Sequence, residues 1–284
     1  MKDDFESPRF PSGPGKGGYM SFGRKLIRSA RKKMGRQARA LRWPPVFIFQ
    51  MGKVGSETLF FALRRQYKGR VVYAHAFSAL TRGEKRLLAR RKRFRLPILV
   101  ICPVREPFSR NISSFFQNFT RNTGFSWKDR QWTTEALLRL FLEKHEPDFC
   151  TTWFETRFKP VFDLDILGLP FPVKQRWCIY SKGRIRVLLY RTDLSAAEQT
   201  GVISDFSGIR LNDYVYRNRG EDKEYREIYR RFLSTVTLPE DYINKMLDSE
   251  YFRHFWSEKE IASLAEAWRR RGDHHDVSVS KENV

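Results

Sequence analysis

The stretch PVFIFQMGKVGSETLFFALRR, residues 45–65, decides the fold. Its opening PVFIF is a short apolar run rich in β-branched and aromatic residues, the pattern of a strand buried on both faces. Leu59, Leu63 and Tyr67 then recur every four residues, which predicts an amphipathic helix from about Ser56. A plain turn between the two needs one glycine, but this junction holds Gly52, Lys53, Val54, Gly55, Ser56, Glu57 and Thr58. Where a strand becomes a helix, unpaired backbone N–H groups point at whatever precedes the helix, which makes an anion site. Glycines let the backbone bend and approach a ligand closely, Lys53 adds a point charge, and the hydroxyls of Ser56 and Thr58 donate to anionic oxygens. The junction therefore reads as a phosphate cradle. It is not the Walker A pattern, whose lysine follows the second glycine, because here Lys53 precedes Gly55.

Outward from this unit, VVYAH (71–75) and LPILVIC (96–102) read as further strands, with TRGEKRLLARRKR (81–93) as a basic helix between them. Strands alternating with helices predict an α/β protein with a parallel sheet and crossover connections. Helical patterns dominate the C-terminal half, where IRVLLY (185–190) is the one clear later strand. In SEKEIASLAEAWRR (257–270), Ser257 and Glu260 form a capping box, and Ile261, Leu264, Ala265 and Trp268 share one face.

The segment PVREPFSRNISSFF (103–116) follows the third strand, on the edge where parallel sheets bind ligands. Arg105 precedes a helix that has Pro107 at its first position, while Ser109 and Ser113 lie one turn apart. An arginine fork with a serine hydroxyl suits a phosphate monoester, which offers several acceptor oxygens in fixed geometry.

Taken together, QMGKVGSETL and VREPFSRNISSFF resemble the two signature segments of sulfotransferases that use 3′-phosphoadenosine 5′-phosphosulfate. The first looks like their 5′-phosphosulfate loop. The second matches their 3′-phosphate motif, R-x-P-x-x-R-x-x-S, at Arg105, Pro107, Arg110 and Ser113. Residues 153–171, 186–195 and 251–268 resemble later blocks of the bacterial capsular polysaccharide synthesis and carbohydrate sulfotransferase-like branch. RTDLS has Thr192 and Asp193 where many members of that branch show a glutamate before the aspartate, and QRWCIYS (175–181) departs from it as well.

The resemblance implies a P-loop-type three-layer sandwich over residues 43–272, with a carbohydrate hydroxyl as acceptor. It implies donor contacts from Gly52, Lys53, Val54, Gly55, Ser56, Glu57, Thr58, Arg105 and Ser113, and no metal. Lys53 is expected to stabilise the leaving phosphate oxygen. His75, at the end of the second strand, is the expected base, because its neutral imidazole is available near neutrality. Glu57 is the alternative. Arg217 and Arg219 could add donor contacts or form a solvated charge run. His145, His254, His274 and His275 are assigned no role.

Composition frames these readings. The 284 residues suit one sizeable domain, and the net charge is +22, of which residues 1–42 carry +9 and the remainder +13. Such a balance draws polyanions, anionic nucleotides or acidic membranes. Residues 1–20 read as a flexible leader, and 22–42 as a basic amphipathic arm able to touch an anionic membrane surface. Residues 273–284 read as a frayed tail. Cys102, Cys150 and Cys178 lack CxxC spacing and no signal-peptide pattern is evident, so a reducing, cytoplasmic location is expected, with the arm on the inner membrane face. Three other readings remain open at this point. One is a kinase with an atypical loop, requiring Mg²⁺ and ATP. Another is a nucleic-acid or polyanion binder using the arm and the aromatic residues, although no nucleic-acid partner is expected. The last is an inactive relative that binds sugar.

Overall fold

A computed structural model describes residues 42–211 and 224–270; most of the basic arm, the segment with Arg217 and Arg219, and the tail lie outside them. The described residues from Pro44 onward form one compact unit. Its first half runs β1 (Val46–Phe49), α1 (Ser56–Gln66), β2 (Val71–Ala74), a 3₁₀ turn (Phe77–Ala79), α2 (Arg82–Arg93), β3 (Ile98–Val104) and α3 (Pro107–Gln117). Next come α4 (Phe119–Thr123), α5 (Thr134–Lys144), α6 (Phe149–Trp153), a π turn (Phe154–Phe158), α7 (Lys159–Phe162) and the hairpin β4 (Trp177–Lys182) with β5 (Ile185–Arg191). Helices α8 (Ala196–Ser207), α9 (Arg226–Thr235), α10 (Glu240–Leu247), α11 (Glu250–Phe255) and α12 (Glu258–Arg269) follow.

The sheet order is β2-β1-β3-β5-β4. Strands β2, β1, β3 and β5 are parallel, with Val46 beside both Val71 and Leu99, and Ile98 beside Ile185. The expected parallel sheet is present, with one antiparallel strand added at its edge. Strand β4 pairs antiparallel with β5, turning at Gly183, whose φ of 58° is in the left-handed region that favours glycine.

Strands β1 and β3 are buried along their whole length, as their unbroken apolar runs require. Phe47, Phe49, Val100, Cys102, Val187 and Leu189 join the main core cluster with Phe108, Ile112 and Phe115 of α3. The alternate residues Ile48, Ile101 and Leu188 are equally buried but stand outside that cluster, as do Leu59 and Leu63 of α1. Side chains of a strand alternate between faces, so α3 and α1 cover opposite faces of the sheet. The chain thus leaves neighbouring strands β1 and β3 toward opposite faces, which opens a crevice at their C-terminal ends.

Capping boxes start α2 (Thr81, Glu84), α8 (Ser195, Glu198) and α12 (Ser257, Glu260). Of the predicted α12 face, Ala265 and Trp268 are buried, while Ile261 and Leu264 are partly buried against the core. Among the described residues no helix is long and apolar enough to cross a membrane.

Candidate active site

The loop after β1 is bent as its glycines predict: φ is 85° at Gly52 and 70° at Gly55. Lys53 also lies in the left-handed region, at 63°, where a side chain costs about 1–2 kcal/mol. Gly55 is the N-cap of α1, and no side chain caps that helix. At the start of α3, by contrast, Glu106 accepts from the backbone N–H groups of Phe108 (2.7 Å) and Ser109 (2.9 Å). Of these two helix N-termini, α3 is filled by its own carboxylate and α1 is left for an external anion.

The two arginines of the second segment do different things. Arg110 is buried and acts as a strut: it donates to the carbonyls of Met51 (2.7 Å) and Gly52 (3.3 Å) and to Asn111 Oδ1 (3.0 Å). Arg105 is half-buried and turns toward the bend, donating from NH1 to the Lys53 carbonyl (2.9 Å) and from Nε to Ser109 Oγ (3.0 Å). These bonds use two of the five N–H donors of its guanidinium. The C-terminal half fixes this loop as well, because the buried Tyr251 hydroxyl donates to the Arg105 carbonyl at 2.8 Å.

Between the loops lies a cavity of about 1060 Å³, at the upper end of the usual range for small-ligand pockets. Gly52, Lys53, Gly55, Ser56, Glu57 and Thr58 line it, and so do His75, Arg105 and Ser113. Arg110, Ser113, Ser114 and Gln117 form its wall along one face of α3, at the spacing a helix requires. Five Lys or Arg side chains line it against two carboxylates, Glu57 and Glu146, so its potential is positive.

Val54 departs from the expected donor contacts: its side chain is buried in the core, leaving only its backbone for a ligand. The Ser56 hydroxyl is also committed within the protein, donating to the Tyr73 hydroxyl at 3.2 Å. The Lys53 ammonium donates to Gln117 Oε1 across the cavity.

His75 sits at the end of β2 with its ring edge-on to Tyr73 (centroids 5.2 Å apart) and close to Gly52. Its carbonyl accepts from Trp153 Nε1 at 2.9 Å, so the helix that runs into the π turn holds the strand end in place. The ring's Nδ1 lies 2.8 Å from Gln50 Nε2 and 3.1 Å from the Gln50 carbonyl. A single nitrogen either accepts the first bond or donates the second. If it donates, Nε2 is left as a base; if it accepts, Nε2 carries the proton and the ring is a donor. Burial lowers the His75 pKa from its ordinary value, opposed by the Gln50 carbonyl, and Arg110 lowers it further. The ring is therefore neutral at pH 7.

Sequence reasoning missed three participants. Gln50, fully buried, receives the Gly52 N–H on Oε1 while facing His75, and its position directly before the loop was the available signal. The strut role of Arg110 was hidden in a motif read only for ligand contacts. His145 lines the same cavity, stacked on Phe141 (centroids 5.3 Å apart), and burial with help from Arg110 pushes its pKa down to about 4. Nothing in its sequence neighbourhood marks it. Among the described residues no group of three or more His, Cys, Asp or Glu is placed to hold a metal ion. Comparison with protein-family models, curated protein sequences and solved structures gives no match.

Proposed function

We propose that the chain is a sulfotransferase that moves a sulfuryl group from 3′-phosphoadenosine 5′-phosphosulfate to a hydroxyl, with a carbohydrate as the acceptor class. One observation carries the reading. The guanidinium of Arg105 bonds the carbonyl of Lys53, so the two segments of the motif pair form adjoining walls of one cationic cavity. In this reading the uncapped N-terminus of α1 and the bend at Gly52–Gly55 receive the phosphosulfate end. The remaining donors of Arg105 and the hydroxyl of Ser113 take the 3′-phosphate.

Transfer forms a bond from the acceptor oxygen to sulfur and breaks the bond from sulfur to the bridging phosphate oxygen. The chain's part is positioning and charge stabilisation. Lys53 leaves Gln117 and places its ammonium at the departing oxygen. His75 takes the acceptor proton on Nε2 when its Nδ1–H is donated to the Gln50 carbonyl. Glu57, exposed on the same wall, is the second candidate for that proton.

The test is thermal protection by adenosine 3′,5′-bisphosphate compared with AMP, followed by transfer from labelled donor to a panel of glycans. Selective protection by the bisphosphate that Arg105→Met abolishes is the expected result. Equal protection by AMP would refute the 3′-phosphate assignment, and a labelled product formed equally well by Lys53→Ala would refute its catalytic role.

A further inference from the structure

The positive charge of the body is concentrated in one segment. Residues 64–95 hold twelve Lys or Arg and one acid, a net +11, while the whole of residues 43–284 carries +13. The single acid, Glu84, is already engaged: it completes the cap of α2 and pairs with Arg70 at 3.4 Å. This segment ends α1, crosses β2, the outermost strand at its end of the sheet, and forms α2. Along α2, Arg82, Arg86, Arg90 and Arg93 are exposed at near-helical spacing, and no carboxylate of the described residues pairs with them. Like charges one turn apart destabilise a helix, so the stripe works against the fold that carries it.

Large apolar side chains are exposed at both ends of α2. Phe77, just before it, is 47% exposed and Phe94, just after it, 59%. Lys85 lies over the ring of Phe77 at 5.2 Å and a guanidinium, that of Arg93, lies 5.8 Å from the ring centre of Phe94. Aromatic rings set among cations on an outward surface match the headgroup layer of an anionic bilayer, which rewards the charge and the buried ring together. An acidic polysaccharide would reward mainly the charge, and a single-stranded nucleic acid, whose bases would stack on the rings, is gripped along a groove. These residues lie on the exposed side of α2 and in the turns that flank it, and none of them lines the cavity.

We infer that the exposed side of α2, with the turns that flank it, is a docking surface for anionic lipid membranes. The inference does not depend on sulfuryl transfer. It does place the cavity, because Tyr73 and His75, on and just after β2, line its wall; a docked molecule would work beside the lipid surface.

The experiment is co-sedimentation of the full chain with phosphatidylcholine vesicles, with and without phosphatidylglycerol. The variants are Arg86→Glu/Arg90→Glu/Arg93→Glu and Phe77→Ser/Phe94→Ser. Binding should require phosphatidylglycerol. The triple reversal should lower the partition coefficient roughly 100-fold or more, at about a fivefold contribution per basic residue near the surface. The phenylalanine pair should lower it roughly tenfold from lost apolar burial, with binding to single-stranded DNA unchanged. Should the reversal set melt early, Arg86→Gln/Arg90→Gln/Arg93→Gln should still show a graded loss. Vesicle binding without phosphatidylglycerol, or unaltered by either arginine set, would overturn the inference. So would a phenylalanine pair variant that binds vesicles like the wild type, which would leave a general polyanion surface.

Discussion

Replacing Arg110 by methionine separates scaffold from ligand contact. Methionine keeps most of the apolar stem but deletes the bonds to the carbonyls of Met51 (2.7 Å) and Gly52 (3.3 Å) and to Asn111 Oδ1 (3.0 Å). It also removes a guanidinium 4.9 Å from the ring centre of Phe149. Two well-formed bonds to buried acceptors, at about 1–3 kcal/mol for each group left unsatisfied, give a loss of about 3–5 kcal/mol. Burying the Arg110 charge is itself costly, as its lowered pKa reflects, and removing that charge returns about 1–2 kcal/mol. The net is a destabilisation of about 2–3 kcal/mol, or a melting point lower by roughly 5–10 °C for a domain of this size. Binding of the bisphosphate should fall with it, because the left-handed residues at 52 and 53 lose their support. Arg105→Met, at a half-buried position, should cost about 1 kcal/mol of stability while weakening the bisphosphate at least as much. Urea titration and calorimetric binding on both variants give the comparison. An Arg110→Met protein with wild-type stability would refute the strut.

Gln50→Glu replaces an amide that can donate by a carboxylate that only accepts, which fixes the His75 proton on Nδ1 and raises its pKa. The base must be neutral, so turnover is lost as pH falls through that pKa; the acidic limb, below the ordinary histidine range in the wild type, should move up in the variant. An unmoved limb would exclude His75 as the base. His145 is held near pKa 4 when folded against about 6.5 unfolded, so the unfolded chain binds more protons between these values. Stability is then full above pH 6.5 and falls toward pH 4 by up to about 3 kcal/mol, a slope that His145→Gln should flatten in urea titrations. Parallel curves would show another group responsible. Trp153→Phe keeps the ring but drops the 2.9 Å bond to the His75 carbonyl, and is expected to lower kcat several-fold with KM nearly unchanged.

The parts of the fold legible in sequence were those whose burial is complete. Strands β1 and β3 are apolar at every position, and α12 announces itself through Ser257 and Glu260. Strand β4 gave no such signal: all six of its residues are only partly buried or exposed, so neither an apolar run nor a clean alternation marks it. The loop residues of the site were legible because two glycines and a lysine set between a buried strand and a helix exceed what a turn alone requires. His145 and Tyr229 were not, since only tertiary packing brings them from distant helices to the cavity.

Under the proposed transfer, the left-handed backbone at Lys53 sets robustness against reactivity at one position. Glycine would relax the main chain there at almost no steric cost, yet it has no ammonium to meet the oxygen that this reading has departing. A screen for heat resistance would favour such a replacement and a screen for turnover would discard it, so this residue records which of the two demands prevailed.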